Sequence, residues 1–118
     1  MAETDAVKTA INDFRKNQGT KITYHEGDPG TNGANLITTS PASATTTWGA
    51  SAVASGTAKA SGSEVQMEVP ASKTVTWLGQ WNGSTFLRGL PLDSSIGVGS
   101  GGAVQVAVTP ELCYTGNT

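Results

Sequence analysis

The sequence predicts an all-β protein, an antiparallel β-sandwich of about seven or eight short strands preceded by one N-terminal α-helix. Three observations indicate this fold class. Glycine, proline, serine and threonine make up about two fifths of the 118 residues, whereas charged residues make up only 14%. Short runs of alternating apolar and polar residues recur, with turn signals between them. Helical periodicity is confined to the N-terminal segment.

The predicted helix covers residues 4–17. Thr4 or Asp5 can cap its first turn, because a side-chain oxygen there accepts a free backbone N–H group. A helix this short needs a packing partner to persist. The sequence leaves open whether its apolar face packs on the sandwich or across subunits. That face carries residues at helical spacing, namely Val7, Ala10, Ile11 and Phe14.

The strands are predicted from period-two alternation and from β-branched or aromatic runs. Further strands are expected at 45–48, at 57–60 and on both sides of Asn82-Gly83, a dipeptide that favours a tight hairpin turn. The clearest alternation centres on Ile22 and Tyr24, on Val65, Met67 and Val69, and on Val104, Val106 and Val108.

The segment 75–81 predicts a strand with an aromatic face. Val75, Trp77 and Trp81 alternate along it, with Gly79 between the two tryptophans. In so small a domain we expect this face to be core. Trp48 is less constrained by its neighbours, so if one of the three tryptophans is exposed, we expect it to be Trp48, which is the first candidate for contact with a ligand or partner.

We expect a single domain over residues 1–118, with the helix in 1–19, the β-sandwich in 20–109 and a C-terminal tail in 110–118. The net charge of −2 gives no basic surface for nucleic acid. The longest apolar run is too short to cross a bilayer, so no membrane partner is expected. The single cysteine, Cys113, excludes an internal disulfide bond.

The residues carry no clear catalytic constellation, so we expect no enzymatic activity, no cofactor and no metal. His25 precedes Glu26 directly, and adjacent strand residues point to opposite faces, which disfavours a shared metal ion. The alternative enzyme is a small glycosidase that uses Glu64 and Glu68. Two acids on one exposed strand face more often serve solubility.

Four blocks of the sequence resemble a known family. Residues 24–35, Tyr-His-Glu-Gly-Asp-Pro-Gly-Thr-Asn-Gly-Ala-Asn, resemble the His-x-Gly-Asp-Pro-Gly-Thr-x-Gly-Ala-Asn signature of small virion structural proteins of actinobacteriophages. The blocks at 47–50, 69–81 and 86–92 are similar to later segments of that family. The resemblance spans roughly residues 5–108, and the C-terminal segment 111–118 has no counterpart in it.

The resemblance implies a non-enzymatic structural protein of a tailed phage particle, located in the virion after assembly in the host cytoplasm. A compact chain of 12.0 kDa suits an external capsid decoration or cement protein. The alternative is a minor tail or tail-fibre-associated protein that binds host surface glycans. The expected partners are the major capsid protein or tail proteins and further copies of the chain, as in a trimer. The candidate contact residues are Trp48, Asp28 and Asn32.

Overall fold

The computed structural model describes residues 3–115, which form one helix and nine strands in three antiparallel sheets. The sheets have the strand orders β2-β1-β6-β7, β3-β4-β9 and β5-β8. The elements are α1 (Asp5–Lys16), β1 (Lys21–His25), β2 (Ala44–Thr45), β3 (Ala52–Ala54), β4 (Thr57–Ser61), β5 (Val65–Val69), β6 (Thr74–Asn82), β7 (Thr85–Gly97), β8 (Val104–Val108) and β9 (Glu111–Tyr114).

The prediction of an all-β sandwich with an N-terminal helix is confirmed. The β1-β6 sheet packs its inner face against the β5-β8 pair, and Tyr24 links the two. Its hydroxyl donates a hydrogen bond to the Val106 carbonyl across the core at 2.7 Å. Burial raises the pKa of this phenol to about 12. The core is completed by buried aliphatic residues of both sheets, including Ile22, Val65, Met67, Val69 and Leu78.

The two predicted tryptophans of β6 lie outside this core, so the expectation for Trp77 and Trp81 is wrong. In the β1-β6 register, Tyr24 is opposite Leu78 and His25 is opposite Trp77. Directly opposed residues share a face of a sheet. Leu78 therefore joins Tyr24 in the core, whereas both indoles lie on the outer face and are only half-buried.

The glycine-rich segment 26–35 folds back over this outer face. A Cβ at Gly33 would come within 2.9 Å of the Trp81 ring. A Cβ at Gly89 would come within 2.8 Å of Pro29 and 3.0 Å of the Trp77 ring. This segment is thus a packed cover over an aromatic layer, and glycine is needed where backbone and rings touch.

Two segment boundaries differ from the prediction. The strand expected at 45–48 is reduced to β2, and Trp48 forms only an isolated bridge with Gly62. The C-terminal segment 110–118, expected as a tail, contributes β9, which pairs with β4 because Leu112 is apolar and fully buried against it. Residues 116–118 lie outside the described part of the chain.

Candidate functional site

Helix α1 packs on the β3-β4-β9 sheet through a polar side chain. Asn12 is completely buried. Its amide nitrogen donates to the Leu112 carbonyl at 2.9 Å and to the Ser51 hydroxyl at 3.0 Å. Because buried polar groups are costly unless hydrogen-bonded, these two bonds fix the rotation of the helix about its own axis.

Two basic residues of the helix anchor the same face. The Lys8 ammonium donates to the Gly56 carbonyl at 2.8 Å, in the turn between β3 and β4. The Arg15 guanidinium donates to the Cys113 carbonyl at 2.9 Å and lies 5.5 Å from the centre of the Tyr114 ring. Both basic side chains thus bind backbone carbonyls of this chain, and that of Arg15 also lies against an aromatic ring.

The C-terminal end of α1 is capped by side chains of the other sheet. The fully buried Gln80 amide donates to the Gly19 carbonyl at 2.9 Å and to the Arg15 carbonyl at 3.2 Å. Arg88 donates to the Arg15 carbonyl at 3.2 Å and to the Gln18 amide oxygen. Carbonyls of the last turn lack partners within the helix, and a cation favours that end of the helix dipole.

The opposite side of the helix faces away from the protein and is apolar. Phe14 is 68% exposed and Val7 is 42% exposed. These are two of the four large apolar side chains that are exposed within residues 3–115. We call this surface the outer helix stripe, and it consists of Ala6, Val7, Ala10 and Phe14.

The predicted helix is present. The sequence left open whether its apolar face packs on the sandwich, and in the structure Val7, Ala10 and Phe14 of that face are exposed and Ile11 is half-buried. The sheet edges under the helix present carbonyl oxygens, at Gly56, Leu112 and Cys113. Carbonyls bind donors, so the donor-bearing side of the helix turns inward. The signal in the sequence was the spacing of Lys8, Asn12 and Arg15, three donors on one helical face.

The three residues expected to contact a ligand or partner do not form one surface feature. Trp48 is half-buried against the core, and its indole N–H donates to the Gly19 carbonyl at 3.0 Å. Asp28 is exposed and accepts a hydrogen bond from the Gly30 N–H at 2.8 Å, which stabilises the turn. Asn32 is exposed in the same segment.

His25 is a buried part of the aromatic layer. Its Nδ1 lies 2.8 Å from the Ala34 carbonyl and its Nε2 lies 2.7 Å from the Thr23 hydroxyl oxygen. The Trp81 indole donates to the same Thr23 oxygen at 2.8 Å. Both ring nitrogens therefore have partners, and burial lowers the pKa of the imidazole. Within residues 3–115, no group of three or more acidic, histidine or cysteine residues is placed to hold a metal ion.

The remaining chemical groups lie at the surface. Glu64 and Glu68 are both exposed, and the Gln66 amide between them donates to Glu64 at 3.4 Å. The Cys113 thiol is exposed on β9. A shallow depression of about 500 Å³ beside it is lined by residues of β3 and β4, including Ala52, Ala54 and Lys59. These groups do not converge on a common point.

Comparisons with known proteins add no further assignment, because no family model, curated protein or solved structure matches this chain. The one helix in residues 3–115 is too short and too polar to cross a bilayer. The geometry thus defines a β-sandwich that presents an apolar helical surface to solvent.

Proposed function

We propose that this protein is a non-enzymatic structural protein of a tailed phage particle and serves as an external capsid decoration or cement protein. One observation carries the proposal. The outer helix stripe is held outward by hydrogen bonds of Lys8, Asn12 and Arg15, so it is available to other assembly components. The sequence blocks that resemble actinobacteriophage virion proteins supply the setting.

The burial pattern supports an assembly role over a role in small-molecule chemistry. Exposed apolar surface costs solubility unless it serves binding, and a contiguous apolar patch often marks an interface. Phe14 is the most exposed large apolar residue of the described chain, at 68%. Aromatic side chains are also enriched among the residues that dominate binding energy at interfaces.

The tail-associated, glycan-binding alternative draws less support from the site. Sugar binding by stacking needs a free aromatic face. The Trp48 indole packs against the core and donates to Gly19. The ring of Trp81 packs edge-on against Phe86, with centroids 5.1 Å apart, and the Lys21 ammonium lies 5.3 Å from the ring centre.

The copy number per particle tests the proposal. Purified particles are analysed by quantitative mass spectrometry, with the major capsid protein as the internal standard. A decoration protein is expected at hundreds of copies per particle. A handful of copies indicates a tail location, and absence from particles overturns the structural role.

A paired substitution tests the surface. Particles that lack the protein are incubated with the Phe14→Ser variant or with the Leu36→Ser variant as a matched control. Leu36 is 51% exposed and lies off the helix. We expect Phe14→Ser to reduce bound copies at least tenfold and Leu36→Ser to bind as the unchanged protein does. Equal binding by both variants would remove the stripe from the proposal.

A further inference from the structure

The glycine-rich segment 26–35, which we call the aromatic cover, is held on the sheet by a small apolar contact. Pro29 is the one buried residue of this segment, and it lies against Gly89. Gly33 lies against the Trp81 ring. A segment that buries so little apolar surface opens locally at lower cost than the whole protein unfolds.

The aromatic cover can move as a unit, because its hydrogen bonds are mostly internal. The Ala34 N–H donates to the Pro29 carbonyl at 2.9 Å, and the Asn35 amide donates to the Asp28 carbonyl at 3.0 Å. At the neck of the segment, the Glu26 N–H donates to the Asn35 carbonyl at 2.9 Å. Opening at the neck therefore leaves the turn inside the cover intact.

His25 supplies the one hydrogen bond within residues 3–115 that joins the aromatic cover to the strands beneath it. Its ring is completely buried, and Nδ1 lies 2.8 Å from the Ala34 carbonyl. Because a carbonyl only accepts, Nδ1 carries the ring hydrogen and Nε2 is left as an acceptor. The Thr23 hydroxyl, 2.7 Å away, then donates to Nε2 and accepts from the Trp81 indole. The closed cover thus selects the neutral imidazole.

The strands around His25 offer no carboxylate to a charged ring. The Lys21 ammonium of β1 lies over the aromatic layer, 5.3 Å from the centre of an indole ring. Strand β6 has no charged residue. In β7, Arg88 is opposite Gln80 and therefore lies on the inner face of the sheet, while Asp93 lines the groove between β7 and β9.

The two carboxylates of the aromatic cover are directed elsewhere. Glu26 pairs with the Lys73 ammonium at 3.1 Å, and Asp28 accepts from the Gly30 N–H at 2.8 Å. Among the described residues, an imidazolium in the closed layer would therefore be a buried charge without a partner, which is costly. The same burial lowers the pKa of His25.

Opening the aromatic cover changes how readily His25 binds a proton. In water an imidazole has its ordinary pKa of about 6.5. Since the closed state binds the proton less readily than the open state, the equilibrium constant for opening rises as the pH falls below that value. The rise approaches about tenfold per pH unit until the closed state is itself protonated.

We propose that protonation of His25 releases the aromatic cover, so that mild acid raises the fraction of chains in which the Trp77 and Trp81 rings are uncovered. Asp28 and Asn32 move with the cover, because both belong to it. This pH response does not depend on the proposed function, and the copy number in particles does not bear on it.

Amide hydrogen exchange followed by NMR tests the release, at about pH 7.5 and about pH 5.5 and with correction for intrinsic exchange rates. The Glu26 amide reports opening, because its bond to the Asn35 carbonyl closes the neck. The Gly49 amide is the matched control, since it is bonded to the Ser61 carbonyl at 2.8 Å in the loop between β2 and β3.

Between the two pH values we expect the opening constant measured at Glu26 to rise about five- to tenfold and that at Gly49 to stay level. No rise at Glu26 would overturn the proposal. Equal rises at both amides would do so as well, because they would show that acid loosens the whole protein and not the aromatic cover.

Two variants identify the group that binds the proton. His25→Gln should remove the rise at the residue 26 amide, whereas Glu26→Gln, which breaks the ion pair with Lys73, should keep it. Loss of the rise in Glu26→Gln alone would make that ion pair the sensor and overturn the role of His25.

The unchanged chain gives a further readout that needs no variant, because His25 is the only histidine of the sequence. Its ring resonances should remain those of the neutral form at a pH where a free imidazole is half protonated, about 6.5. A ring that titrates at this ordinary value without faster exchange at Glu26 would show that the closed aromatic cover tolerates the charge, and would overturn the proposal.

Discussion

Asn12 is completely buried, whereas Phe14, two residues further along the same helix, is 68% exposed. This reverses the usual orientation of an amphipathic helix on a globular protein. The reversal has a local cause, because carbonyl oxygens of Gly56, Leu112 and Cys113 lie beneath the helix and accept hydrogen bonds from it. Asn12 satisfies one of them directly, at 2.9 Å from the Leu112 oxygen.

Replacement of Phe14 by alanine should change the free energy of unfolding by less than about 1 kcal/mol, because the ring is mostly in solvent and makes few contacts to lose. Urea denaturation of dilute protein measures this. Leu112→Ala provides the contrast, with an expected loss of about 2–5 kcal/mol, since Leu112 is 1% exposed. A large loss for Phe14→Ala would place the ring in the core of the monomer.

Replacement of Asn12 by alanine should destabilise the protein by about 1–3 kcal/mol, because the buried Leu112 carbonyl and Ser51 hydroxyl each lose a hydrogen-bond donor. Chemical denaturation followed by tryptophan fluorescence measures the change. Asn17→Ala is the control, since Asn17 is exposed at the end of the same helix. Similar losses for the two variants would mean that the amide bonds of Asn12 contribute little.

Replacement of Gly89 by alanine should destabilise the protein by about 1–3 kcal/mol, because the added methyl group overpacks the space between the sheet and the covering segment. A Cβ there would lie 2.8 Å from Pro29 and 3.0 Å from the Trp77 ring. Gly99→Ala is the matched control, since a Cβ at Gly99 meets no atom within 4 Å. Thermal unfolding of both variants would reveal the difference, and equal melting temperatures would argue against a close-packed cover.

The stability of the protein should fall as the pH decreases below about 6.5, the ordinary pKa of histidine. Burial lowers the pKa of His25 in the folded state, so the unfolded state binds the proton more readily. The stabilisation is therefore complete above the unfolded pKa and is lost as the pH falls through the folded pKa.

The His25→Gln variant isolates this effect, because glutamine does not titrate. Urea midpoints at pH 8, 7, 6 and 5 should decline for the unchanged protein and stay nearly level for the variant. Asp13 affects the stability only at lower pH than His25 does, since hydrogen bonds from Ser51 lower the pKa of its carboxyl below the ordinary value of 3.8. Parallel pH profiles for the two proteins would exclude His25 as the source.

Helices and strands could be predicted from the sequence where the spacing of neighbouring apolar residues indicates them. Alternation in 65–69 predicts β5, and its residues Val65, Met67 and Val69 are buried as expected. Helical spacing and the Thr4 cap predict α1, and the Thr4 hydroxyl does accept a hydrogen bond from the Val7 N–H at 3.3 Å. Such signals depend on neighbouring residues alone, so one sequence suffices to detect them.

Which side of a strand points to the core could be determined only from the tertiary structure. In β6, the largest side chains are Trp77 and Trp81, yet Leu78 and Gln80 point to the core side. Gln80 is polar, and nothing nearby in the sequence shows that its amide caps a helix more than sixty residues earlier. A buried polar residue of this kind interrupts the apolar alternation along the strand, so the core-facing side cannot be recognised from the sequence pattern.

The candidate contact residues show the same limit. Trp48, Asp28 and Asn32 were selected from residue type and local context, and two of them are occupied with hydrogen bonds inside the chain. The outer helix stripe was visible in the sequence as an apolar face. Its direction depended on which atoms the distant β4 and β9 strands place under the helix.

By itself, the sequence determined the all-β class, the N-terminal helix and the apolar residues that this helix carries. Only the tertiary structure decided that these apolar residues face solvent and that a glycine-rich segment covers the second face of a sheet. The physical reason is the range of the interactions. Periodicity arises from adjacent residues, whereas the hydroxyl and carbonyl oxygens that turn Asn12 inward come from residues 39 and 100 positions away.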